Sequence, residues 1–126
     1  MTIYCIWVNP RRPHTSETLA RNLNFLMDKH GYSEKEMERR SKVSGKTINN
    51  MRNAKHKATI ENTDKVASVF GLHGWQLIIP GLPEHLVESK ALSAVVENYA
   101  AADDEGRAAI EHVAEREAAY TGKKAS

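Results

Sequence analysis

What is scarce in this chain narrows its chemistry before any motif is read. A single cysteine, Cys5, in 126 residues excludes an internal disulfide and supplies no thiolate cluster for zinc. No apolar run approaches the roughly 20 residues of a membrane-spanning helix, and the start lacks a basic stretch followed by a signal-peptide core. These absences predict a reduced, cytoplasmic protein with no membrane partner. The six histidines, at positions 14, 30, 56, 73, 85 and 112, show no metal-ligand spacing, so no metal site is expected. No glycine-rich phosphate loop is present, and the adjacent carboxylates Asp103 and Asp104 fall at a helix start, where capping accounts for them. The expectation is a protein that is not an enzyme and takes no cofactor.

The most informative absence is of one sign of charge. Between Arg39 and Ile60 there are seven Lys or Arg and one His, yet no Asp or Glu. The net charge of +2 is the sum of two unlike parts: residues 1–80 hold 13 Lys/Arg against 7 Asp/Glu, giving +6, and residues 81–126 hold 5 against 9, giving −4. The basic part is the candidate surface for double-stranded DNA, and the acidic part should avoid phosphates.

At this length the chain is one compact domain, or a small domain with an appendage. Residues 3–8 are β-prone, but a lone strand has no partner and must pair with a twin chain, dock on helices or stay loose. The breaker segment 9–13, with Arg11 and Arg12, reads as a linker or as an arm along the duplex. Ser16 can cap a first helix carrying Leu19, Leu23, Leu26 and Met27, which His30 and Gly31 stop. Ser33 with Glu36 is a capping box for a second helix, whose inward face is Met37 with the stem of Arg40. Ser44 caps a third helix that buries Ile48 and Met51, and a fourth runs from about Glu61 through Val66, Val69 and Phe70 to Gly71. After a short apolar turn at Trp75, Leu77, Ile78 and Ile79, closed by Pro80 and Pro83, the composition becomes acidic and alanine-rich. Leu92, Val95, Val96 and Tyr99 then form one helical stripe, and Asp103 caps a last helix bearing Ile110 and Val113. The class is all-α: a segment 1–15, a helical domain 16–80, and a helical hairpin 84–122.

Residues 16–72 resemble the lambda repressor/Cro-like helix-turn-helix family, also called the Xre family. The positions that carry the resemblance are Ser33, Met37, Val43, Ser44, Thr47, Ile48, Met51, Asn53, Lys55, Glu61, Lys65, Val66, Ala67, Gly71 and Leu72. The resemblance implies a sequence-specific DNA-binding transcriptional regulator, a phage or prophage repressor or a bacterial regulator, acting as a dimer on a palindromic operator. Three positions depart from the family's pattern. Glu38 stands where a small residue is usual, and Glu34 where a glutamine commonly contacts phosphate. Lys42 occupies the turn position that favours glycine, at a cost of roughly 1 kcal/mol.

At about 100° per residue, Lys46, Asn49, Asn50 and Asn53 lie on the third helix opposite Ile48 and Met51. Asn can contact adenine bidentately and Lys can reach guanine acceptors, so this polar face suits base reading, its alternative being a merely solvated face. By position in the motif, Gly45, Lys46 and Asn49 come nearest the base edges, with Asn50 beside them. Ser33, Thr47, Arg52, Asn53, Lys55, His56 and Lys57 are the expected backbone contacts.

The stripes Leu92, Val95, Val96, Tyr99 and Ile110, Val113 cannot both be buried in one two-helix contact. They are expected to make a homodimer, the alternative being a lid on the first and fourth helices. A second functional class stays open: an antitoxin whose acidic helical tail masks a toxin partner, with DNA binding as autoregulation.

Overall fold

Leu19, Leu23, Leu26 and Met27 recur at helical spacing, and α1 (Thr15–His30) buries all four. The structure is a computed structural model that describes residues 14–125, with side chains described as far as Tyr120. The β-prone segment 3–8 and the pair Arg11 and Arg12 lie outside the described residues. Helix α1 begins one residue before the expected cap: His14 is the N-cap and makes no side-chain cap bond, while Ser16 lies within the helix. Its end follows the expected logic. Gly31 adopts the left-handed region at φ 69°, which lets Tyr32 N–H reach the Met27 carbonyl at 2.9 Å.

The second helix, α2 (Glu34–Ser41), starts at Ser33, whose hydroxyl accepts from Glu36 N–H at 3.1 Å. The reciprocal half of the capping box does not form, because the Glu36 carboxylate turns outward to Arg39 (2.5 Å) and Arg40 (2.7 Å). The Arg39 bond, opposed by partial desolvation and reinforced by Arg40, holds the Glu36 carboxyl at about 2. Arg40 is exposed rather than inward, its guanidinium 4.4 Å from the Tyr32 ring centre; Met37 and Ser41 are the buried residues of α2.

Helix α2 ends at Lys42, which is left-handed at φ 65°. Ser41 secures the turn by donating to the Met37 carbonyl (2.6 Å) and accepting from Val43 N–H (3.1 Å), and Val43 drops into the core. A left-handed non-glycine residue costs about 1–2 kcal/mol. Lys42→Gly is therefore expected to stabilise the fold by about 1 kcal/mol, less the extra entropy of an unfolded glycine. A rise in the urea midpoint at constant slope is the check.

Helix α3 (Gly45–Arg52) is capped by Ser44, which accepts from Thr47 N–H at 3.2 Å, and buries Ile48 and Met51. Helix α4 (Ile60–Val69) starts one residue earlier than expected because Thr59 caps it, accepting from Asn62 N–H at 3.0 Å. Two short 3-10 turns follow, Gly74–Leu77 and Glu84–Leu86. Leu77 joins the core of Leu23, Leu26, Met27, Met37, Ile48 and Val66. Asn22, fully buried within α1, donates to the Leu77 carbonyl at 2.8 Å, so the core admits a polar group only with its partner.

The first compact unit extends to Glu88, past the boundary at 80–84 that the prolines suggested. Val87 is fully buried in the core and its carbonyl accepts from Gln76 at 3.3 Å. Glu88 binds Lys29 at 2.6 Å and His30 at 2.5 Å. Burial opposes ionisation of Glu88, yet its bonds to Lys29 and His30 outweigh that and hold its carboxyl below the usual range.

The second unit starts at Ser89, which caps α5 (Lys90–Ala101) by accepting from Leu92 N–H at 3.1 Å. Asp103, as expected for a cap, accepts from Gly106 N–H at 2.7 Å at the start of α6 (Asp104–Ala125). Arg107 reaches back to the carbonyls of Tyr99 (3.0 Å) and Ala100 (2.8 Å), and Tyr99 donates to Glu111 at 2.7 Å. Six α-helices and no strand are present among the described residues, an all-α chain.

Candidate nucleic-acid interface

Eight residues make just over two turns, so α3 has few faces to assign. Ile48 and Met51 fix one face in the core, and Lys46 and Asn53 are exposed away from it. Asn53 turns its amide back to the Asn49 carbonyl at 2.8 Å, closing the helix end. Asn50 is half-buried, and its carbonyl accepts from Lys55 N–H at 2.9 Å. Thr47 is half-buried, its hydroxyl accepting from that of Ser44 at 2.9 Å.

The third face carries residues 45, 49 and 52, and it meets two carboxylates of α2 spaced one turn apart. Glu38 accepts from Gly45 N–H at 3.0 Å, at the N-terminus of α3, where backbone donors lack helical partners. A Cβ at position 45 would stand 2.8 Å from that carboxylate oxygen, so glycine leaves room for the contact. Glu34 accepts from Asn49 at 3.0 Å and from Arg52 at 3.1 Å, both through Oε2. Arg52 also donates through Nε to Asn24 of α1 at 2.7 Å, and Asn24 returns a bond to the Arg52 carbonyl at 2.9 Å.

Arg52 therefore clamps α1, α2 and α3 together, a task the sequence did not reveal when it placed this residue among the phosphate contacts. Its side chain is 29% exposed and that of Glu34 35% exposed, so the pair is partly shielded from water. Arg52→Ala is expected to destabilise the fold by about 1–3 kcal/mol, the range for removing a hydrogen bond to a charged group and leaving its partner shielded. Equilibrium denaturation checks it, and an unchanged midpoint would return Arg52 to the surface.

These pairings also revise the charge balance. Arg39 and Arg40 share the one carboxylate of Glu36, which offsets one of their two charges, and Arg52 pairs with Glu34, both acids lying outside the acid-free window. Lys42, Lys46, Lys55 and Lys57 remain exposed and form no ion pair among the described residues. Lys55, His56 and Lys57 follow α3 on an exposed loop that bends at Ala54 (φ 54°) and His56 (φ 58°). Ser33 is exposed at the start of α2. All the expected α3 and loop residues thus belong to one short helix and the segment leaving it, which carry Lys46, Lys55 and Lys57, while Lys42 lies in the turn before α3.

A groove of about 560 Å³ elsewhere in the first unit is lined by Leu19, Ala58, Ile60, Trp75 and Ile78, with Lys57 and Asp64 as its charged members. Thr15, Ser16 and Thr63 add hydroxyl groups to its lining. No group of three or more His, Cys, Asp or Glu able to hold a metal ion occurs among the described residues, and no described helix is long and apolar enough to cross a membrane. In the second unit, Val95, Val96 and Val113 are 54%, 43% and 45% exposed, and Leu92, Tyr99 and Ile110 are half-buried. No family model, curated protein or solved structure matches this chain.

Proposed function

We propose that residues 14–88 form a helix-turn-helix DNA-binding unit of the lambda repressor/Cro-like kind, in which α2 crosses the duplex backbone and α3 enters the major groove. On this proposal the chain is a transcriptional regulator, a phage- or prophage-type repressor, that binds a palindromic operator as a homodimer. The observation that carries it is the pairing of an amide-rich surface with exposed cations: Asn49 and Asn50 on α3 and Asn53 at its C-cap, with Lys42, Lys46, Lys55 and Lys57 nearby in the chain. Amides and lysine read base edges, while exposed cations displace the counterions condensed on phosphates. Selection of bound sites from random duplex DNA is the test. Enrichment of a palindrome is expected; a pool that stays random would overturn sequence-specific binding.

The loop supports a separate expectation. Lys55→Ala or Lys57→Ala should weaken binding to every duplex alike and lower the log–log salt slope by about one for each phosphate no longer neutralised. An unchanged slope would remove the loop from the interface.

A second assignment is favoured by the second unit, whose exposed valines sit in an acidic segment. An antitoxin would cover such a surface with a basic toxin partner and keep DNA binding for autoregulation. The purified chain separates the two: a dimer that binds DNA unaided supports the repressor. A monomer that binds only with the product of a neighbouring gene supports the antitoxin.

A further inference from the structure

We propose that Glu34 is a positioning residue for base readout: by accepting a hydrogen bond from Asn49, it fixes which atoms of that amide α3 presents to a base pair. The inference rests on the DNA-reading surface proposed above and assigns that surface a determinant of specificity.

An asparagine amide has a donor end and an acceptor end of nearly the same shape, and a half-turn about its last bond exchanges them. At a base edge that exchange reverses the message. Adenine offers the N7 acceptor and the N6 donor, so it needs one N–H and one carbonyl in a set order. A free amide samples both orders and discriminates poorly. The carboxylate of Glu34 only accepts, so the Asn49 Nδ2 group must face it, at 3.0 Å, and Oδ1 must face away. One N–H and the carbonyl are then left in a single order for a ligand.

Glu34 is itself held. The same Oε2 takes a second bond from Arg52 at 3.1 Å, and Arg52 is anchored from behind by Asn24 on α1 at 2.7 Å. Swinging Glu34 away would strand a partly shielded guanidinium, so Asn24, Arg52 and Glu34 form a rigid brace behind Asn49. The carboxylate also repels phosphate. Its two effects on binding therefore have opposite signs: it lowers affinity for all DNA and raises discrimination among sequences.

Two substitutions separate those effects. Glu34→Gln keeps the length and removes the charge; its carbonyl, in the place of Oε2, still accepts from both Arg52 and Asn49, so the amide order is kept. Glu34→Asp keeps the charge on an arm one methylene shorter, which draws the acceptor back from Asn49. The measurement is the affinity ratio between the selected duplex and its single-base-pair variants, at fixed salt, with thermal melts as the folding check. The ratio at one base pair is expected to fall about tenfold for Glu34→Asp and to stay unchanged for Glu34→Gln. Affinity for random DNA should rise only for Glu34→Gln. With Asn49→Ala already present, neither change should alter discrimination further. A ratio unchanged in Glu34→Asp, with the wild type discriminating, overturns the role of Glu34 and leaves DNA reading intact. A wild-type chain that discriminates among no duplexes overturns the DNA-reading proposal and this inference with it.

Discussion

Lys46→Ala and Asn49→Ala are each expected to weaken binding to the selected duplex by about 1–3 kcal/mol, roughly 5- to 150-fold, while changing binding to random DNA less. The two effects should differ in kind. Lys46 is exposed, forms no ion pair among the described residues, and stands in the first turn of α3, where a groove-reading helix contacts base edges. Its removal takes a positive charge as well as a donor, so the salt slope should fall along with specificity. Asn49 carries no charge and is held by Glu34, so its removal should leave the salt slope unchanged. Titrations of selected and random duplexes at several salt concentrations measure both quantities. Equal weakening on the two duplexes would mean that these side chains do not specify sequence.

The α-helical class, the helix order and several caps were legible in the sequence because they depend on local signals. Ser33, Ser44 and Asp103 each precede an apolar periodicity and accept the backbone bond expected of a cap. Gly31 and Lys42 end their helices in the left-handed region. What was not legible involves residues distant along the chain. Glu34 and Asn49 are 15 positions apart, and Asn24 and Arg52 are 28 apart. No periodicity links them, so Arg52 read as one more cation in an acid-free stretch. A signal did exist in the spacing. Glu34 and Glu38 lie one turn apart on α2, and residues 45, 49 and 52 share the flank of α3 that faces them. Seen together, the departures from the family's pattern at positions 34 and 38 become an acidic ladder that organises α3. The unit boundary was missed for a related reason: Pro80 and Pro83 are visible turn signals, whereas burial of Val87 beyond them is a tertiary fact.

The largest effect is expected from removing the second unit. Its valines at 95, 96 and 113 remain substantially exposed, and none of its described side chains is fully buried, so these two helices lack a core of their own. A proposed homodimer would cover those side chains and hold two α3 helices for the two halves of a palindrome. The cut belongs after Glu88. A cut after Pro83 would remove Val87 from the core and Glu88 from Lys29 and His30, confusing failed dimerisation with reduced stability. Residues 1–88 alone should remain helical and bind a half-site weakly. They should forfeit the gain from tethering two readers, a factor of about 10² or more on the full palindrome. Val96→Glu in the full chain should have the same effect, because it would place an unpaired charge in the proposed interface. Sedimentation of both variants, alongside titration of half-site and full-site duplexes, gives the outcome. A truncated chain that stays dimeric and keeps its full-site affinity would move dimerisation into the first 88 residues and leave the valines of the second unit to another partner.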